Sequence, residues 1–103
     1  MSNQFEDLQS EIKAFAKARD WEQFHTPKNL AMAITGEAGE LAAEFQWLTA
    51  LESEAGSLSP EKLEAISLEI ADVQIYLLRI ADVLGVDIPD AVRRKIQINE
   101  SRF

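Results

Sequence analysis

The stretch PEKLEAISLEIADVQIYLLRIADVL, residues 60–84, decides the fold because it is the longest helical pattern in the chain. Ser59-Pro60 is a typical helix start and Gly85 a typical helix stop. Leu68, Ile75 and Leu78 lie outside the main apolar stripe, so this helix is apolar on more than one side. We expect it to be central, or shared with a second subunit. The stripe keeps a three-four spacing through Leu63, Ile66, Ile70, Val73, Leu77, Ile80 and Leu84.

Three further helices are expected, at about residues 3–19, 27–48 and 89–101. Thr26-Pro27 supplies an N-cap followed by proline at the first helical position, and Asp87 with Pro89 opens the last helix in a similar way. No strand pattern or repeat competes with this interpretation. We therefore predict one all-α domain over residues 1–103, a four-helix bundle-like fold.

Composition supports a folded helical protein. The chain has 103 residues, 47% hydrophobic, with four glycines and three prolines. It contains no run of eighteen apolar residues, and the stretch from Met1 to Glu11 is too polar for a signal peptide. We expect a soluble, cytoplasmic protein with no membrane partner.

The charged residues narrow the chemistry. A net charge of −8 argues against nucleic-acid binding, which needs a basic surface. With no cysteine and one histidine, thiolate and multi-histidine metal sites are excluded. Any metal in this protein must therefore be held by oxygen atoms.

Acidic residues point toward the expected core in two places. In GEAGELAAEFQW, residues 36–47, Glu37 falls in the apolar stripe, and Glu40 and Glu44 lie on its edge. On the third helix, Glu69 and Asp72 share a face bordered by apolar residues. Four converging acids would repel one another unless a cation lay between them. Oxygen ligands favour Mg²⁺, with Mn²⁺ possible, although a single E-x-x-E pair is more often a solvated face or an edge ion pair.

A substrate for such a site would be anionic and would bring further cations, as a nucleoside triphosphate does. Lys95, Asn99 and Arg102 lie on one face of the last helix and suit phosphate oxygens. The alternative is that these are ordinary surface charges.

Aromatic residues cluster near the same helix ends: Trp21, Phe24, His25, Trp47 and Tyr76. Tryptophan and tyrosine beside a charged site stack readily on a base. The alternative is that they fill the core, which we expect for Phe24, and His25 is equally compatible with a capping or loop histidine.

Three strings carry a resemblance to a known family: RDWEQFHTPKNLAMAITGEAGELAAEFQW (19–47), LEIADVQIYL (68–77) and KIQINESRF (95–103). They resemble the MazG-like all-α nucleoside triphosphate pyrophosphohydrolases, most closely their dCTP pyrophosphatase branch. The resemblance implies hydrolysis of a (deoxy)nucleoside triphosphate, dCTP or a related pyrimidine nucleotide, to the monophosphate and pyrophosphate. It also implies a homodimer or homotetramer. Ile12 stands where some members of that branch carry a histidine, which leaves cytosine selectivity open.

The resemblance also assigns roles to residues. It implies magnesium ligands at Glu37, Glu40, Glu69 and Asp72. The sequence does not show which carboxylate accepts the proton of the attacking water; we assign this role to Glu40 and name Lys95 as the second catalytic residue. Lys95, Asn99 and Arg102 would hold the triphosphate, and Trp21, His25, Trp47 and Tyr76 would form the nucleoside site.

A rival hypothesis is a non-catalytic helical dimerisation module. Its inward acids would pair with basic side chains drawn from Arg79, Arg93, Arg94 and Lys95.

Overall fold

The computed structural model describes residues 3–103, which form four α-helices and, within that range, no strand. The helices are α1 (Gln4–Ala18), α2 (Pro27–Ala43), α3 (Pro60–Leu84) and α4 (Ile88–Arg102), with short 3-10 turns at Glu22–Phe24 and Ala55–Ser57. The all-α, four-helix prediction is confirmed. Met1 and Ser2, which open the predicted domain and the polar N-terminal stretch, lie outside the described residues.

The predicted start signals act as N-caps. The Thr26 hydroxyl accepts a hydrogen bond from the Asn29 N–H at 3.2 Å, and the Ser59 hydroxyl accepts one from the Lys62 N–H at 3.1 Å. Each bond satisfies a donor that the first helical turn leaves free. Gly85 ends α3 with a φ of 71°, a left-handed conformation that favours glycine.

The predicted end of α2 at Leu48 is wrong, because the helix ends at Ala43 and the chain continues in tight turns. At its end α2 tightens: the N–H groups of Glu44 and Phe45 donate to the carbonyls of Leu41 and Ala42, three residues back instead of four. A separate turn then starts at Thr49. The Thr49 N–H donates to the Glu52 carboxylate at 2.8 Å, and the Glu52 N–H donates to the Thr49 hydroxyl at 3.1 Å, which forms a reciprocal capping box.

The central position predicted for α3 is confirmed, since α2 and α1 both pack against it. The α2–α3 pair is antiparallel: Glu44 near the end of α2 contacts Lys62 at the start of α3, and His25 just before α2 contacts Arg79 near the end of α3. The buried apolar side chains along these contacts are Ala16, Leu30, Ile66, Leu78 and Ala81. The α2–α3 pair thus sets the register of the inward-facing acids.

A single chain does not close the four helices into a compact bundle. The radius of gyration is 16.2 Å, against about 13 Å for a compact domain of this length. α4 contacts the other helices sparsely, and its apolar residues Val92, Ile96 and Ile98 are exposed. Among the described helices none is both long and apolar enough to cross a membrane. The cytoplasmic location stays a prediction.

Candidate metal centre

Four acids meet where α2 and α3 pack together. Glu37 and Glu40 on α2 and Glu69 and Asp72 on α3 each place one carboxylate oxygen within 4.8 Å of the others. The i, i+3 spacing puts each pair on one helix face, and the antiparallel register brings the two faces together. A divalent ion bonded at about 2.1–2.4 Å separates its ligand oxygens by up to about 4–5 Å, so these atoms fit around one ion.

Two of these carboxylates have oxygens that nothing in the described chain satisfies. Oε2 of Glu37 and Oε2 of Glu69 are buried, and neither accepts a hydrogen bond from residues 3–103. An occluded carboxylate oxygen without a donor destabilises the ionised form of the side chain. Glu40 is exposed, so the cluster opens to solvent on its side. Buried oxygens with an open approach fit an oxygen-liganded cation that enters from solvent.

The electrostatics of the acidic cluster, defined as Glu37, Glu40, Glu69 and Asp72, support this interpretation. Burial raises the pKa of Glu37, and the negative charges of Glu40 and Asp72 raise it further. Burial likewise raises the pKa of Glu69, together with the charges of Glu40, Asp72 and Glu44. Both shifts mean that the folded chain disfavours full ionisation of the cluster. A bound cation would remove that penalty.

No basic side chain of residues 3–103 pairs with the acidic cluster. The ion pairs within 4 Å are Lys62–Glu44, Arg79–Asp82 and Arg94–Asp90. The rival dimerisation module required Arg79, Arg93, Arg94 or Lys95 to neutralise the inward acids, and within one chain this pairing does not form. Within residues 3–103, therefore, no basic side chain compensates the charge of the cluster.

Lys62 forms an ion pair at the end of the α2–α3 seam that sequence reasoning missed. Its Nζ lies 2.8 Å from Oε1 of Glu44, one turn beyond Glu40 and just past the end of α2. Lys62 precedes Glu69 by seven residues, which puts both on one face of α3. This seven-residue spacing was visible in the sequence. It does not identify Glu44 as the partner of Lys62 until the register of α2 on α3 is known.

An aromatic cavity of about 340 Å³ lies one helical turn from the cluster. Ala33 precedes Glu37 by four residues and Tyr76 follows Asp72 by four, so cavity and cluster share the α2–α3 seam. The volume falls in the range of small-molecule sites. Its lining includes Trp21, Phe24, His25, Leu30, Ala33 and Tyr76.

Three of the four predicted nucleoside-site residues line this aromatic cavity: Trp21, His25 and Tyr76. Trp47 lies outside it, in the turns after α2, and is 88% exposed. Phe24 was expected in the core, and that expectation is wrong because it is 59% exposed and lines the cavity. The 3-10 turn at Glu22–Phe24 holds it there instead of against the helices.

The predicted phosphate-binding residues on α4 are not joined to the cluster within one chain. Lys95 and Arg102 are exposed, and Asn99 is half-buried. The Arg102 guanidinium lies 5.3 Å from the ring centre of Phe103, a cation–π distance. No hydrogen bond or ion pair among residues 3–103 connects these three side chains to the acids.

Comparison with known proteins assigns the chain to a family. Residues 32–103, which include all four acids and α4, match the model of the MazG-like family. The chain belongs to the MazG-like family. The recognition made from the sequence strings is thereby confirmed.

Named relatives of this MazG-like chain are pyrophosphatases. It is 46% identical over 98 residues to dCTP pyrophosphatase 1 of Homo sapiens and 43% identical to that of Mus musculus. Each match covers 95% of this chain and 58% of the relative, so the chain spans little more than half the length of these relatives. A crystal structure of a pyrophosphatase from Archaeoglobus fulgidus superposes with a TM-score of 0.89 at 37% identity, covering 100% of this chain and 94% of that one.

Proposed function

We propose that this chain is a divalent-metal-dependent nucleoside triphosphate pyrophosphohydrolase, formed by one domain over residues 1–103. It would cleave a (deoxy)nucleoside triphosphate, dCTP or a related pyrimidine nucleotide, to the monophosphate and pyrophosphate. The observation that carries the proposal is the acidic cluster, whose two buried oxygens have no donor in the described chain. The pyrophosphatase names of its relatives supply the reaction class.

In this proposal, Glu37, Glu40, Glu69 and Asp72 hold Mg²⁺, or Mn²⁺ in its place. When bound, the ion supplies positive charge that offsets the phosphate oxygens and makes water a stronger nucleophile. Glu40 would accept the proton of the attacking water, and its exposure to solvent supports this choice among the four acids. The oxygen of that water adds to phosphorus while the bond to the bridging oxygen breaks, and pyrophosphate leaves.

The aromatic cavity would take the nucleoside. Trp21 and Tyr76 offer rings on which a base can stack, and the cavity lies one helical turn from the acids, along the same α2–α3 seam. Trp47, exposed beyond the end of α2, would cover the nucleoside only after a further rearrangement or assembly step.

We also propose that the active form is a homodimer or homotetramer, in which α4 of one copy reaches the cluster of another. The exposed apolar residues of α4 and the open shape of the single chain support this arrangement. Lys95, Asn99 and Arg102 would then contact the triphosphate from the neighbouring copy, with Lys95 stabilising charge on the phosphates.

The direct test is release of pyrophosphate from each of the common ribo- and deoxyribonucleoside triphosphates, with Mg²⁺, with Mn²⁺ and with chelator. We expect turnover of dCTP or a related pyrimidine nucleotide in the presence of either ion and none with chelator. Failure to release pyrophosphate from every triphosphate would overturn the proposal. Products other than the monophosphate and pyrophosphate would overturn the assigned bond.

A further inference from the structure

Arg79 is the one charged residue of the described chain that the fold buries, at 6% exposed. A buried guanidinium is tolerated only when its N–H groups find acceptors. The Arg79 Nε–H donates to Nδ1 of His25 at 3.1 Å, and its terminal nitrogen lies 3.5 Å from Oδ2 of Asp82. The first contact joins α3 to the segment that precedes α2, 54 residues away.

This contact determines which nitrogen of His25 carries the proton. Arginine does not lose its proton in proteins, so Nε of Arg79 is always the donor and Nδ1 of His25 is always the acceptor. A neutral imidazole with an acceptor at Nδ1 carries its hydrogen on Nε2. Burial and the positive charge of Arg79 lower the pKa of His25, against the smaller opposing effect of Glu22. His25 is thus neutral at pH 7.

The free nitrogen of His25 is the one available to a ligand. His25 lines the aromatic cavity beside Trp21 and Tyr76, and its Nε2 has no hydrogen-bond partner among residues 3–103. On α2 the cavity is lined by Leu30 and Ala33 and by one polar side chain, Asn29, whose amide N–H donates to the carbonyl of Phe24 at 3.1 Å. An N–H group in such surroundings recognises a hydrogen-bond acceptor on whatever fills the cavity.

We propose that Arg79 is a positioning residue that fixes His25 as an Nε2–H donor toward the aromatic cavity. The donor would bind an acceptor on the base, a carbonyl oxygen or an unprotonated ring nitrogen. This contact with a base rests on the proposed function, in which the cavity takes the nucleoside, but the fixed proton position does not.

The proton position has a direct test because His25 is the only histidine in the chain. Protein labelled with ¹⁵N-histidine gives one pair of ring signals, recorded without nucleotide at pH 7.5. We expect a protonated Nε2 and an unprotonated Nδ1. In Arg79→Met we expect the two neutral forms to mix and the pKa of His25 to rise toward its ordinary value. Asp82→Asn is the matched control, because it removes the other partner of Arg79 and should leave both signals unchanged.

The hydrogen bond from His25 to the base is tested by binding of dCMP and of deoxyribose 5-phosphate, measured by calorimetry with Mg²⁺. We expect Arg79→Met to weaken dCMP about tenfold and to leave deoxyribose 5-phosphate unchanged, because only dCMP carries a base. In turnover of dCTP, KM should rise while kcat stays near the original value. Arg79→Lys keeps the positive charge and serves if Arg79→Met fails to fold; it should give an intermediate effect.

Three results would overturn the proposal in separate ways. Protonated Nδ1 in the unaltered protein would contradict the positioning role itself. Protonated Nε2 in the unaltered protein, together with unchanged dCMP affinity in both Arg79 variants, would contradict the contact with the base. Equal weakening of dCMP and deoxyribose 5-phosphate would show that Arg79 acts only on the fold. A protein that hydrolyses no triphosphate yet shows protonated Nε2 would refute the proposed function and leave the positioning role standing.

Discussion

Charged side chains have partners at the two ends of the α2–α3 pair but not in its middle. At the ends, Glu44 pairs with Lys62 at 2.8 Å and His25 accepts from Arg79 at 3.1 Å. In the middle, four acids converge and no basic side chain of the described residues reaches them. Along this seam, basic side chains thus meet their partners at the two ends. The four acids in the middle, which we propose bind a metal ion, have no basic partner among residues 3–103.

The largest effect is expected when one of the four acids in the middle of the seam is neutralised. Glu69→Gln should lower kcat for pyrophosphate release by about 100- to 1,000-fold, because it removes a charge that holds the ion at the reacting phosphates. The helical circular dichroism should stay unchanged, since no structural ion pair is lost. Glu64→Gln, on the exposed face of the same helix, is the control and should keep full activity. Loss of helicity in Glu69→Gln alone would mean that the acids are structural.

A mixing experiment tests whether Lys95 of one copy acts at the acidic cluster of another copy. Glu37→Gln and Lys95→Ala should each be inactive alone. Unfolded together and refolded as a mixture, they should recover about a quarter of the original activity, because half of random dimers carry one intact site. The measurement is turnover per chain. Mixtures that remain inactive, although they assemble, would contradict the assignment of α4 to a neighbouring copy.

The pH dependence of the free energy of unfolding distinguishes the acids in the middle of the seam from His25 at its end. The pKa values of Glu37 and Glu69 are raised from 4.5, so as pH falls from 7 the folded chain takes up protons before the unfolded chain does. The metal-free protein therefore gains stability from these groups on mild acidification. His25 acts oppositely: its pKa is lowered from 6.5, so the unfolded chain is protonated first and stability is lost below that pH.

The double variant Glu37→Gln, Glu69→Gln separates the two effects. In chelator at pH 7 it should unfold at higher urea concentration than the unaltered protein, and the gap should close as pH approaches 4.5. A gap that does not change with pH would contradict the raised pKa values. Because both proteins keep His25, its contribution cancels in the comparison.

The smallest expected effect is at the paired end. Lys62→Met should lower the free energy of unfolding by about 0.5–1 kcal/mol, because the Lys62–Glu44 pair is partly exposed. Urea unfolding at pH 7 measures this change, and Lys28→Met, exposed on α2 without an ion pair, is its control. A loss of several kcal/mol would mean that the end of the seam is coupled to the cluster.

The features that sequence predicted well are local. Helix starts follow from Thr26, Ser59 and Asp87, whose side chains cap N–H groups three residues away. The inward acids follow from helical periodicity, because a position in the apolar stripe is fixed by counting along one helix. The capping box of Thr49 and Glu52 is also local, but it marks only the turn that follows and does not fix the end of α2 at Ala43.

The features that sequence missed depend on how helices meet. Glu44–Lys62 and His25–Arg79 join residues 18 and 54 positions apart, and nothing in either local pattern specifies the partner. The exposure of Phe24 and of the apolar residues on α4 also depends on where neighbouring elements pack. Periodicity shows that a face is apolar, but it does not show which surface covers that face.

The central claim is that the acidic cluster binds a divalent ion, and the direct measurement is calorimetric titration of the metal-free protein with Mn²⁺ at pH 7. We expect saturable binding by the unaltered protein and by Glu64→Gln, weakened at least tenfold in the Glu37→Gln, Glu69→Gln double variant. Absence of binding, with or without nucleotide, or equal binding by the double variant, would contradict the account.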